Sequence, residues 1–83
     1  MKNKLLVKIS VVVNDKPKAL RDILSILANL GANVQSISHD RSTSSVPVGY
    51  VKIIITFQTL GEEQIEIIKK KLDKENLKFQ ILH

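Results

Sequence analysis

The sequence predicts an α+β domain in which one antiparallel four-stranded sheet carries two helices on a single face. Three observations lead there. Two stretches, Leu5 to Val13 and Tyr50 to Phe57, alternate in the period of two that a half-buried strand requires. Each is followed by a stretch whose apolar residues fall three and four apart, the spacing of an amphipathic helix. Short polar or glycine-containing segments separate the runs, which gives the order strand, helix, strand, strand, helix, strand.

In the first strand Leu5, Val7, Ile9, Val11 and Val13 are all apolar, whereas the even positions include Lys8 and Ser10, so one face is committed to a core. Asn14-Asp15-Lys16-Pro17 stops it. The helix that follows, roughly Lys18 to Leu30, carries Leu20, Ile23, Leu24, Leu27 and Leu30 on one side and Arg21, Asp22, Ser25 and Asn29 on the other. Gly31 ends it, as a residue in the left-handed conformation would. The second strand, near Asn33 to Ser42, has Val34 and Ile37 three apart, which breaks the alternation and predicts a bulge or a change of face.

Ser42-Thr43-Ser44-Ser45 supplies a polar turn, and Val51, Ile53, Ile55 and Phe57 then alternate with Tyr50, Lys52, Ile54 and Thr56 in a third strand. Thr59 and Glu62 have the spacing of a capping box at the start of a second helix. Ile65, Ile68 and Leu72 are its core positions. Its acidic start, Glu62 and Glu63, and its lysine-rich end agree with the helix dipole. Leu77, Phe79 and Ile81 alternate through a final strand.

This βαββαβ order matches the ferredoxin-like split unit. The helices are expected over Val7, Ile9, Val51 and Ile53, leaving Leu6, Lys8, Ser10, Val12, Tyr50, Lys52, Ile54 and Thr56 on the open face. That face is half apolar, and a bare outer strand could pair with its own copy, so a homodimer joined sheet edge to sheet edge is expected.

The 83 residues fit one domain, 1–83. A domain of this size buries only about 60% of its unfolded surface, and oligomerisation is the natural source of more. With no cysteine there is no disulfide framework, thiolate zinc site or cysteine nucleophile. The stretch after Met1-Lys2-Asn3-Lys4 is interrupted by Lys8 and Ser10 and is too short for a signal peptide or a membrane span, so a cytoplasmic address is the expectation. The net charge of +5 would permit nucleic-acid binding, but Lys69, Lys70, Lys71 and Lys74 cluster at one helix end, where they complement the dipole.

A helix N-terminus with unpaired amides attracts carboxylates, and an asparagine both donates and accepts, so the loop after the first strand and Asn33 suit a small zwitterion. Asp15-Lys16-Pro17, Ala19-Leu20 and Gly31-Ala32-Asn33-Val34 resemble the Asp-x-Pro-Gly loop, helix start and second-strand start of the ACT domain family. Those are small ligand-binding modules attached to many enzymes of amino-acid metabolism. Ile37-Ser38-His39-Asp40-Arg41 is similar to the version at the C-terminus of threonine dehydratases (threonine ammonia-lyases).

The resemblance implies a non-catalytic, cofactor-free regulatory domain that binds an amino acid at a dimer interface, and the likeness to threonine dehydratases implies a branched-chain one. It implies a site in which Asn14, Asp15, Lys16, Pro17, Lys18 and Leu20 of one subunit meet Asn33, Val34 and Gln35 of its neighbour. Lys18 stands where the family usually has glycine. Its ammonium could pair with the ligand carboxylate, or its side chain could occlude the site and leave a dimerisation module with a silent pocket.

Each of these residues also has a plainer role. Asp15 would serve as an N-cap, Pro17 would pre-set the first helical turn, and Asn33 would merely follow a C-terminal glycine. His39 and Asp40, as strand neighbours, point to opposite faces, and with no thiolate they make a poor metal or catalytic set. Arg41 would pair with a nearby carboxylate. An RNA-binding sheet needs interleaved aromatics, and Tyr50 is alone. An acyl-phosphate hydrolase would want an arginine and a phosphate cradle between Asn14 and Lys18, where there is neither arginine nor glycine.

Overall fold

The computed structural model describes residues 5–40 and 46–82 and has the element order β1 (Leu5–Asn14), α1 (Pro17–Asn29), β2 (Asn33–Asp40), β3 (Tyr50–Thr59), α2 (Glu62–Lys74), β4 (Lys78–Leu82). The strands form one antiparallel sheet in the order β2-β3-β1-β4. The expected turn at Ser42–Ser45 and Arg41 lie outside the described residues.

Alternation along β1 and β3 decides the core. Ile9 lies opposite Ile55, Val11 opposite Ile53 and Val13 opposite Val51, and all six are buried. Ile23 and Leu27 of α1 and Ile68 and Leu72 of α2 close over this face, so both helices lie on one side of the sheet. Each such side chain contributes on the order of 1.5 to 3 kcal/mol.

The irregularity expected in β2 is a bulge. Val34 pairs with Phe57 and Ser36 with Thr56, so Gln35 is the extra residue. Its effect is to return Ile37, opposite Ile55, to the helix-facing side that Val34 occupies. A spacing of three therefore puts both apolar residues on one face.

Both helices end alike. At α1 the amide of Gly31 donates to Ala28 O (3.1 Å) and that of Ala32 to Leu27 O (2.9 Å), with Gly31 at φ 84. At α2 Asn76, at φ 60, donates to Asp73 O (3.0 Å) and Leu77 to Leu72 O (3.1 Å). These are Schellman motifs. Leu77 is thus spent on the helix end, and β4 begins at Lys78 rather than Leu77.

The helix starts differ from expectation. Thr59 and Glu62 form no capping box: Gly61 is the N-cap residue of α2, and Thr59, buried on the core face, donates its hydroxyl to Gly61 O at 3.3 Å. Gln64 does the work of the box. Its Oε1 accepts the Leu60 amide at 2.9 Å, and its Nε2 donates to the Leu30 carbonyl at the end of α1, tying the two helices together. Asp15 is not the cap of α1 either. That position falls to Lys16, which makes no side-chain capping bond, with Pro17 as the first helical residue.

Two stability tests follow. Ile53 is 1% exposed, and Ile53→Asp is expected to abolish the folded circular-dichroism signal, because a carboxylate there has no partner and no water. A Cβ at Gly31 would stand 2.6 Å from Gln64 Nε2. Gly31→Ala should therefore cost at least about 1 to 2 kcal/mol in a urea melt, and more than Gln64→Ala alone.

Candidate functional site

The β1–α1 loop is pinned to the turn before β3. The Asp15 amide donates to Gly49 O at 3.0 Å, and the Tyr50 amide donates to Pro47 O at 3.1 Å, closing a tight turn that needs Gly49 at φ 88. Asn14, Asp15, Lys16, Pro17 and Leu20 then line one side of a cavity of about 280 Å³. Val51 and Ile53 of β3 and His39 of β2 complete it. Pro17, Leu20, Val51 and Ile53 give it apolar walls, and Asn14, Asp15, Lys16 and His39 are its polar lining residues.

Two groups of sequence-chosen residues occupy opposite ends of the sheet. Asn14 lies opposite Tyr50, whereas Asn33 lies opposite Gln58, and positions 50 and 58 of β3 are roughly 26 Å apart at about 3.3 Å per residue. Asn33, Val34 and Gln35 are thus remote from the loop of their own chain. Asn33 and Gln35 are exposed, while Val34 packs partly against the core. Lys18 is exposed on the first turn of α1 and is not among the residues that line the cavity.

Few backbone donors remain at the helix start. The Asp15 amide is engaged as above, Lys16 donates to Asn14 O at 2.8 Å, Ala19 donates to Lys16 O at 3.1 Å, and Pro17 has no N–H. Lys18, at the second position of α1, has no acceptor for its amide within the helix. The loop therefore supplies fewer backbone donors than a bare helix terminus would.

His39 is the lining residue that sequence reading did not assign to the site. The signal lay in the bulge: once Ile37 is returned to the core side, His39, two residues on, shares that side and lines the cavity with Pro17 and Leu20 of α1. Asp40 consequently faces the other way, opposite Lys52.

The open face has a different character. Lys8 is exposed, Tyr50 is half exposed, and Ser10 is buried beside a cavity of about 220 Å³ that Val46 also lines. Tyr50 is the single aromatic of that face among the described residues, short of the stacking set an RNA platform uses. No three histidine, cysteine, aspartate or glutamate side chains gather as a metal site among the described residues, and no described helix is long and apolar enough to cross a membrane.

Known proteins agree with this architecture. L-threonine ammonia-lyase of Thermotoga maritima is 44% identical over 64 residues, covering 77% of this chain and 16% of that protein. The enzyme of the same name from Geobacter sulfurreducens is 36% identical over 59 residues, covering 71% and 15%. The chain thus spans about one-sixth of the length of these curated relatives. Prephenate dehydratase from Streptococcus mutans superposes with a TM-score of 0.79 at 20% identity, over 99% of this chain and 43% of that one, a likeness of fold. The family model for the ACT domain matches residues 7–76. With its βαββαβ sheet, two helices on one face and a loop cavity at the start of α1, the chain belongs to the ACT domain family of regulatory, non-catalytic modules.

Proposed function

We propose that the domain senses an amino acid at a seam between two copies of itself and so regulates an enzyme of amino-acid metabolism. The observation that carries this reading is the orientation of β2. It is an edge strand, hydrogen-bonded on one side only. If two copies pair antiparallel along it, the start of one β2 falls beside the end of the other. Asn33, Val34 and Gln35 of the second copy then come to the end where His39 and the cavity stand. Residues that are remote within one chain become neighbours across two.

The two sheet edges favour β2 for this pairing. β4 has five residues and opens on Lys78, whereas β2 has eight, without lysine or proline, and its bulge is confined to the first part. Lysine, proline and shortness are the usual guards against edge pairing. Ile37 adds an apolar contact at 37% exposure.

In the assembled site the start of α1 and Asn33 of the second copy would hold the ligand's charged groups, and Pro17, Leu20, Val51 and Ile53 would surround a small apolar side chain. A branched-chain amino acid fits that lining, and the relatedness to L-threonine ammonia-lyases supports an effector from amino-acid metabolism. A partly buried helix-terminus interaction contributes up to about 2 kcal/mol, so enclosure at the seam supplies most of an affinity between about 4 and 8 kcal/mol, millimolar to micromolar. Occupancy regulates to the extent that the ligand prefers one of two arrangements of the seam.

One observation favours a second reading. The loop amides of Asp15 and Lys16 are already engaged, as they would be in a dimerisation module with a silent pocket. Titration calorimetry with the standard amino acids separates the two. Binding heat is expected, and Asn33→Ala should weaken binding about tenfold, the loss of one hydrogen bond to a charged group. No heat from the native chain, and none from Lys18→Gly, would leave the silent dimer. Light scattering should give twice the chain mass of 9.3 kDa. Ile37→Lys should weaken association about tenfold, and a strictly monomeric native chain at high concentration would remove the seam.

A further inference from the structure

We infer that His39 is the side chain that receives the ligand's carboxylate and makes the site discriminate amino acids from their uncharged derivatives. This rests on the amino-acid-binding reading above and adds a residue of the same chain to it.

A carboxylate presents about four lone-pair sites, and the loop backbone offers it little, because the amides of Asp15, Lys16 and Ala19 are engaged, Pro17 has none and Lys18 does not line the cavity. The rest of the anion's hydrogen bonding must come from side chains around the cavity. Pro17, Leu20, Val51 and Ile53 are apolar, which leaves Asn14, Asp15, Lys16 and His39. Asn14 follows the buried Val13 and lies opposite Tyr50, so its strand phase is that of the open face, and Asp15 as a carboxylate only accepts. Lys16 is an exposed N-cap residue whose long stem must lose rotamer freedom to hold a ligand. The imidazole has two side-chain torsions and stands on a strand, a better-ordered donor.

Position supports the assignment. On the helix-facing side of β2 the sequence runs Val34, Ile37, His39, and the corresponding residues of β3 are Phe57, Ile55 and Ile53. A core side chain would be the ordinary choice at position 39. The residue is instead exposed and lines the cavity together with the loop residues. The charged groups that share the cavity are Asp15 and Lys16, both from the loop, while β3 contributes only Val51 and Ile53. A ligand between loop and strand would therefore meet the β1–α1 loop on one side and the imidazole N–H on the other. In the edge-paired dimer, Asn33 of the second copy closes the same end.

Calorimetry on the full chain tests this with L-valine, L-isoleucine, L-leucine and L-threonine, each beside its α-carboxamide, against the native protein, His39→Ala and His39→Gln. Thermal melts by circular dichroism establish that the exposed substitutions fold. The native chain should bind at least one amino acid about tenfold or more tightly than its amide. His39→Ala should lose about tenfold for the acid with no change for the amide, and His39→Gln, which retains a donor, should recover part of the preference. Equal losses for acid and amide would reduce His39 to a structural role, and no loss for either would take the ring out of contact with the ligand. Both results overturn the inference while leaving the amino-acid site intact. A native chain that binds none of the four would overturn the site itself and His39 with it.

Discussion

The pairing of β1 with β3 is the constraint on which the rest of the molecule depends. Ile9 against Ile55 and Val11 against Ile53 set a register in which every second side chain of both strands is buried. A slip of one residue would turn Lys8, Ser10, Lys52 and Thr56 into the core and expose the isoleucines. Because β1 and β3 are the inner strands, β2 and β4 must take the edges. The register also fixes the ends of the sheet: Asn14 comes beside Tyr50, and the first loop meets the turn before β3.

Helix ends then convert a stable sheet into a positioned site. Each helix returns to the sheet through a left-handed residue, Gly31 or Asn76, that satisfies its last carbonyls and directs the chain into β2 or β4. Gln64 ties the end of α1 to the start of α2 and holds the pair over the core. The exposed ion pairs of α2, Glu66 with Lys69 at 3.3 Å and Lys71 with Glu75 at 3.4 Å, add little to this, since they lie in water. At the other end of α1, the loop is held by backbone bonds to Asn14 and Gly49 rather than by a side-chain cap. The amides that fix the loop are thereby engaged within the chain itself.

The elements themselves were legible because their signals are local. Alternation in β1 and β3, the three-and-four spacing in α1 and α2, Gly31 as a terminator and the irregular spacing of Val34 and Ile37 each report the surroundings of the residue concerned. The misreadings concern hydrogen-bond partners. Thr59 had the spacing of a cap but also sits in the buried phase of β3, and burial directed its hydroxyl to Gly61 while Gln64 took the amide. Asp15 had the composition of a cap, yet Pro17 sets the helix start and leaves Lys16 at that position. His39 was read beside Asp40 as a pair of strand neighbours, and its place in the cavity depended on counting from the bulge.

The sequence alone determined the order of elements, the buried face of each strand and the family, since periodicity and punctuation are properties of a few consecutive residues. Tertiary structure decided which residues meet. It separated Asn33 from the first loop by the length of β3, brought His39 to that loop, and spent the amides of Asp15 and Lys16 on the chain itself. The physical reason is that a hydrogen bond or a cavity joins groups distant along the chain, and only the register of the sheet fixes which distant groups come within reach.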